Sequence, residues 1–240
     1  LVGLITRRSE VQILPPLLKK QKPSASAFFL PKIARGPNDA VMPRILGIDP
    51  GTLRCGYAVV EIRSGRTVTQ PRYIECGVVE LPAHEPIAER LRLLAGDLRE
   101  VIAELHPDEL AIESAFAGVN VRSALMLGQA RGAILLVGAE AGLTCHEYPP
   151  ATVKKTVCGN GRAQKAEVQR VVSWLCKLTT PPPTDAADAV AIALCHAFHH
   201  TQRALTSQAQ RQAKPPAATA SRLQALAGSR TPPPPTRSDR

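Results

Sequence analysis

Four acidic residues stand where a chain can do chemistry. Asp49 follows the apolar run Ile45-Leu46-Gly47-Ile48 and precedes Pro50-Gly51-Thr52, and Glu113 closes the run Leu110-Ala111-Ile112. Asp185 and Asp188 lie three residues apart in Thr184-Asp185-Ala186-Ala187-Asp188-Ala189-Val190, a spacing that puts both on one face of a helix. Carboxylates gathered in one place repel, and each is driven toward protonation unless a positive charge sits among them. Divalent cations supply that charge best. Mg²⁺ takes a few carboxylates together with water and phosphate oxygens, and two such ions about 3.5–4 Å apart stabilise both oxygens of a phosphodiester hydrolysis. Simpler accounts exist for single residues: Asp49 as a turn carboxylate, Asp185 as an anion at a helix N-terminus capped by Thr184. Neither explains Asp188, one turn further into an otherwise apolar helix.

These positions require particular elements. Residues 45–48 read as a strand that stops at the Pro-Gly turn. Tyr57–Ile62 and Tyr73–Leu81 read as two more strands, with hairpin chemistry at Arg63-Ser64-Gly65-Arg66 between them. From Glu85 the apolar period becomes helical, through Ile87, Leu91, Leu94, Leu98, Val101 and Leu105, until His106-Pro107 ends it. Glu109–Ile112 is a short strand ending on Glu113, Val121–Glu140 a long helix, and Leu143–Tyr148 a fifth strand. Helical stretches at 151–158 and 164–178 flank Gly159-Asn160-Gly161, and a last helix starts at Thr184 after Pro181-Pro182-Pro183. Three strands in series and then helix, strand, helix, strand and terminal helix predict an α/β fold with a five-stranded mixed sheet flanked by helices. If the first and fourth strands are parallel neighbours, Asp49 and Glu113 meet at their ends.

The net charge of +10 belongs to the ends of the chain. Residues 1–41 carry +5 and residues 201–240 carry +6, which leaves the middle at −1. A basic pI would ordinarily point to nucleic acid, but here that inference must rest on where the core's positive residues sit. Residues 1–41 read as a disordered basic leader, either a transit peptide or, the preferred reading, sequence translated upstream of a true start at Met42. Residues 201–240, closing on Thr231–Thr236 with four prolines, read as a disordered Pro/Ala-rich tail. The folded domain is expected over 42–200. The six cysteines show no C-x-x-C pair and read as reduced, mostly buried thiols of a cytoplasmic protein. No apolar run approaches the about 20 residues that span a bilayer.

Positive residues of the middle gather at Arg122, Arg131, Lys154, Lys155, Arg162, Lys165 and Arg170, where phosphate contacts would supply affinity without sequence information. A solvated helix face is the plainer account of each. Phe116, three residues beyond Glu113, is placed to stack on an unpaired base or to pack under its loop. Gly128 and Gly132 weaken the long helix, so something must approach them closely. His196, His199 and His200 have some metal-ligand character but read as a frayed helix end.

Four of these segments together, Ile45–Thr52, Ala111–Ser114, Ser123–Gly132 and Asp185–Ala193, resemble the RuvC family of crossover junction endodeoxyribonucleases. The resemblance covers about residues 44–197. It implies an RNase H-like fold, a homodimer, and two Mg²⁺ per active site, with Mn²⁺ able to substitute. By motif, Asp49 would lie between the two metals and Glu113, Asp185 and Asp188 would complete their ligands. Lys154 and Lys165 match basic positions near the scissile strand, Phe116 matches an aromatic position, and the helix bearing Gly128 and Gly132 matches the dimer contact. The substrate implied is four-way junction DNA, cut to leave a 5′ phosphate and a 3′ hydroxyl, and the implied partners are the RuvA and RuvB branch-migration proteins. Two related readings compete. Actin-like ATPases share an Asp near Gly-Thr but need a longer, duplicated domain. The YqgF-like group shares the fold and acts on RNA, and the Ser123–Gly132 run and the last helix favour RuvC over it. A junction-binding protein without catalytic activity is the remaining alternative.

Overall fold

A computed structural model of the chain describes residues 43–63, 70–114 and 121–213. Its elements are β1 (Arg44–Asp49), β2 (Arg54–Arg63), β3 (Gln70–Glu80), α1 (Ile87–Leu105), β4 (Glu109–Glu113), α2 (Val121–Glu140), β5 (Thr144–Tyr148), α3 (Pro150–Cys158), α4 (Lys165–Leu175) and α5 (Thr184–Ala213). The strands form one sheet in the order β3-β2-β1-β4-β5. β1 pairs antiparallel with β2 and parallel with β4, and β4 pairs parallel with β5. The expected meander is present as the antiparallel β2–β3 ladder, while its turn at 64–69 lies outside the described residues.

β1 is central and covered on both faces, which is why its sequence is a continuous apolar run rather than an alternating one. Ile45 points to one face, into a cluster with Ala58, Val60, Ala111 and the apolar residues of α5. Leu46 and Ile48 point to the other, packing with Leu110 and Ile112 against Leu94 and Leu98 of α1 and Ile134 and Val137 of α2. Each buried leucine or isoleucine contributes about 1.5–3 kcal/mol.

Close packing of the last helix on the sheet explains its alanines. A Cβ on Gly47 would collide with the backbone oxygen of Ala189 and lie 2.8 Å from Cβ of Ala193. A Cβ on Gly56 would collide with the backbone oxygen of Asp185. Glycines on β1 and β2, facing Ala186, Ala189 and Ala193, let α5 lie directly on the sheet and fix how far its first turn stands from the end of β1.

The chain divides into two compact units, Leu1–His199 and His200–Arg240. In the second, the helical assignment continues to Ala213, beyond Thr201, where the sequence placed the start of a disordered tail. The Gln- and Ala-rich stretch after Thr201 contains no proline before Pro215, so nothing local stops a helix there. The leader at 1–41 lies outside the described residues. All six cysteines are free, with Cys55, Cys76 and Cys195 buried. Among the described residues, no helix is long and apolar enough to cross a membrane.

Candidate active site

The parallel register aligns Ile48 with Ile112, so the next residue of each strand, Asp49 and Glu113, stand side by side at the carboxyl edge of the sheet. On its other side Asp49 pairs with Gly56, the residue on which the N-terminus of α5 rests. That contact carries Asp185 and Asp188 over the end of β1. The structure thus brings together the four carboxylates that the sequence singled out, from β1, β4 and α5.

Their electrostatics follow from this crowding. The Asp49 carboxyl is pushed up to about 7, first by burial, then by Asp188 and Glu113, with Lys165 opposing and Asp185 adding to the rise. Glu113 is raised by burial and by Asp188, and Lys154, Lys165 and Arg131 act against that rise. Asp188 is raised chiefly by burial, against the pull of Lys165, whose Nζ lies 3.2 Å from Asp188 Oδ2. Asp188 in turn holds the Lys165 ammonium above its usual range. Asp185 accepts a hydrogen bond from Nε of Arg54 at 2.7 Å, and Arg54 also donates to Glu80 at 3.0 Å. Of these four cations Arg54 is shared with Glu80 and Arg131 with Glu147, so Lys154 and Lys165 are left to offset the carboxylates and negative charge remains in a half-buried place. An all-oxygen set of this kind fits a hard divalent cation.

Other residues support this edge from below. Arg131 donates to the backbone carbonyl of Glu113 at 3.1 Å and pairs with Glu147 at 2.7 Å, tying α2 to the ends of β4 and β5. Arg90, on the buried side of α1 and only 8% exposed, donates to the backbone carbonyl of Thr52 at 2.9 Å and so holds the turn after Asp49. Arg54, Glu80 and Arg90 were not singled out by sequence. Arg90 did leave a signal, since it occupies the helical face of Leu94, Leu98 and Val101 and is buried with them. Arg54 left none, because its partners lie 26 and 131 residues away.

The predicted DNA contacts divide. Lys154 and Lys165 act on the carboxylates, as described. Lys155 and Arg162 are exposed on α3 and in the loop that follows it, and Arg122 is exposed in the first turn of α2. Phe116 lies outside the described residues. Gly128 and Gly132 are exposed, and an added Cβ at either meets nothing within 4 Å, so the close approach they were expected to serve is not made within this chain. The histidines require a correction. His196 is not at a frayed end: it is 1% exposed and bonded to Tyr148 and Glu109. Periodicity placed it in a terminal helix but could not show that β4 and β5 pack over it.

A mixed sheet with carboxylates collected at the ends of its central strands and on the helix across them defines an RNase H-like α/β protein with an acidic site. The Crossover junction endodeoxyribonuclease RuvC model matches residues 45–196. The chain is 46% identical over 164 residues to the crossover junction endodeoxyribonuclease RuvC of Azorhizobium caulinodans, covering 68% of this chain and 95% of that one. It is 47% identical over 156 residues to that of Chloroflexus aurantiacus, covering 65% and 93%. Thermus thermophilus RuvC in complex with Holliday junction substrate superposes with a TM-score of 0.61 at 34% identity, over 66% of this chain and 94% of that one. The yeast mitochondrial Holliday junction resolvase Ydc2, at TM-score 0.50 and 12% identity over 71% and 87%, shares the fold. The chain belongs to the RuvC family, a family of metal-dependent nucleases.

Proposed function

We propose that this protein is a structure-selective endonuclease that resolves four-way DNA junctions by paired nicks in opposite strands, serving recombination and repair in the cytoplasm. The observation that carries the reading is the meeting of Asp49 and Glu113 at the ends of neighbouring parallel strands with Asp185 and Asp188 on the helix laid across Gly47 and Gly56. Together with family membership and with the relatives named for that activity, it supports hydrolysis at this edge of the sheet.

Asp49, Glu113, Asp185 and Asp188 would hold two Mg²⁺, with Mn²⁺ as a substitute. Ions held by these four carboxylates would supply Lewis-acid stabilisation of charge on a phosphate group and activation of a water nucleophile. The side chains themselves fix where the phosphate sits. Asp49 and Glu113 are set by strand register, and Asp185 and Asp188 by α5 lying on Gly47 and Gly56. Lys165 and Lys154 bring positive charge toward the same place and attract the scissile strand. Lys155, Arg162 and Arg122 extend that attraction along the outer face, and Phe116 is assigned to stacking at the junction centre.

The reading requires two sites facing opposite strands, hence a homodimer. α2 suits the contact: Val121 (81% exposed), Leu125 (64%) and Leu136 (58%) lie on the same side as Gly128 and Gly132. The folded domain is assigned to 42–200, with the flanking basic segments as additions to it, and RuvA and RuvB as partners follow from family resemblance. Cleavage of a synthetic four-way junction beside linear duplex and an RNA–DNA hybrid, in Mg²⁺ or EDTA, tests the substrate. Cutting of the junction alone, abolished by EDTA, is expected. Cutting of the hybrid would assign the chain to RNA instead.

A further inference from the structure

At the opposite end of β4 from Glu113, a second group of metal-ligating side chains comes together. Glu109 begins β4, His146 is at the middle of β5, and His196 lies on the sheet side of α5. The register of β4 with β5 pairs Ala111 with His146, two residues along from Glu109 and on the same face. One ligand atom from each of the three lies within 4.8 Å of the others. Nε2 of His146 is 3.3 Å from Oε2 of Glu109, and Nε2 of His196 hydrogen-bonds to the same oxygen. The two imidazoles stack, with centroids 4.3 Å apart and planes at 29°, so both Nε2 atoms face one carboxylate.

We infer that Glu109, His146 and His196 form a binding site for a borderline transition-metal ion, Zn²⁺ in kind, separate from the carboxylate site. Two imidazole nitrogens and one carboxylate oxygen are a Zn²⁺ donor set, and the nitrogens disfavour Mg²⁺. The outer partner is in place. Tyr148 Oη lies 2.6 Å from Nδ1 of His196. A tyrosine hydroxyl both donates and accepts. It can therefore donate to Nδ1 while Nε2–H bonds to Glu109, or accept from Nδ1–H while the Nε2 lone pair turns to a metal. Neither arrangement leaves His196 unsatisfied, and the exchange moves only the ring proton. Such orientation of a ligating histidine through its second nitrogen is a usual feature of protein metal sites. The His146 side chain is 26% exposed and that of Glu109 19%, which leaves an approach from solvent.

The three elements joined here are the ones that bear three of the four active-site carboxylates or adjoin them. Glu109 and Glu113 are four residues apart on β4, about 13 Å. His196 is eight residues beyond Asp188 on α5, about 12 Å. An ion at this end would clamp α5 to β4 and β5 and hold Asp188 in register with Glu113, without taking part in the hydrolysis.

The test uses the full chain carrying Asp49→Asn and Asp188→Asn, which disables the carboxylate site and leaves this one intact. After EDTA and dialysis, Co²⁺ absorption and Zn²⁺ equilibrium dialysis read the occupancy. One Co²⁺ per chain with visible d–d bands, one Zn²⁺ per chain by dialysis, a rise in Tm on adding Zn²⁺ but not Mg²⁺, and loss of the binding and of the Tm rise in His146→Ala are expected. Because Glu109→Gln keeps the size and hydrogen bonding of the side chain, it should stay folded by circular dichroism and bind at least tenfold more weakly. No binding in the Asp49→Asn/Asp188→Asn chain, or binding unchanged by His146→Ala and Glu109→Gln, would overturn the inference. Because this readout is independent of cleavage, failure of the junction assay leaves it standing, and the reverse also holds.

Discussion

Lys165 sets its ammonium nitrogen 3.2 Å from Oδ2 of Asp188, and its charge also reaches Asp49 and Glu113. Lys165 opens α4 and Asp188 lies in the first turns of α5, so the pair joins the two helices over the end of β1. The lysine offsets part of the carboxylate repulsion, and the proposed function assigns it to the phosphate of the scissile strand.

Lys165→Ala should therefore affect reaction more than binding. Single-turnover cleavage at saturating Mg²⁺ is expected to fall by about tenfold or more, less than the about 10²–10³-fold cost of a preorganised oxyanion donor because the Lys165 side chain is 66% exposed. Junction affinity should fall only moderately, with the slope of log K against log salt shallower by about one. An equal loss in linear-duplex binding with an unchanged cleavage rate would show Lys165 to be an outlying phosphate contact.

Asp49 gives a pH prediction whose sign can be worked out. Its carboxyl lies at about 7 in the folded chain, raised mainly by burial, against about 3.9 when unfolded. Between these values the folded chain holds a proton that the unfolded chain releases, so without metal, stability falls as pH rises from about 4 to 7. Asp49→Asn removes the penalty. In EDTA at pH 8 the variant is expected to be more stable than wild type by the order of 1–3 kcal/mol, and at pH 4 the difference should vanish. Thermal unfolding at the two pH values checks this, and a variant less stable than wild type at pH 8 would contradict it.

Gly47→Ala tests the packing that carries α5. The added methyl would meet the backbone of Ala189 and the side chain of Ala193. Backbone cannot rotate away as a side chain can, so the helix must shift, at about 1–3 kcal/mol. Cleavage should fall further than stability, since Asp185 and Asp188 move with the helix. Tm and cleavage at a temperature where the variant remains folded separate the two effects.

Arg90→Leu would remove the hydrogen bond that holds the Thr52 carbonyl while keeping the apolar contacts of α1. A loss of about 1–3 kcal/mol in stability is expected from the orphaned carbonyl. Cleavage should fall with junction binding nearly unchanged, because the turn after Asp49 loosens. Urea unfolding and a gel-shift titration measure the two quantities.

The carboxylates were legible in the sequence because each ends an apolar run or sits at helical spacing, patterns set by burial within a few residues. The five strands and five helices were legible for the same reason, with shifts of a few residues at β2, β3 and α4, where pairing or fraying rather than apolar content decides the end. What was not legible depends on register. Arg54 reaches Asp185 across 131 residues, and Glu109, His146 and His196 meet only once β4, β5 and α5 are assembled. Sequence alone took His196 for a helix end. Arg90 was passed over because a charged residue on an apolar helical face is ordinarily solvent-exposed, whereas here the Asp49–Thr52 turn supplies the carbonyl it needs.

If Asp49 and its neighbours cut junction strands in pairs, strand-resolved mapping of nicks on a mobile four-way junction in Mg²⁺, wild type beside Asp49→Asn, will show it. Symmetrical nicks in two opposite strands are expected for the wild type, and for Asp49→Asn undiminished junction binding with no cutting. Nicks by Asp49→Asn at the wild-type rate, or binding by the wild type without any cutting, would contradict paired cutting by Asp49 and its neighbours.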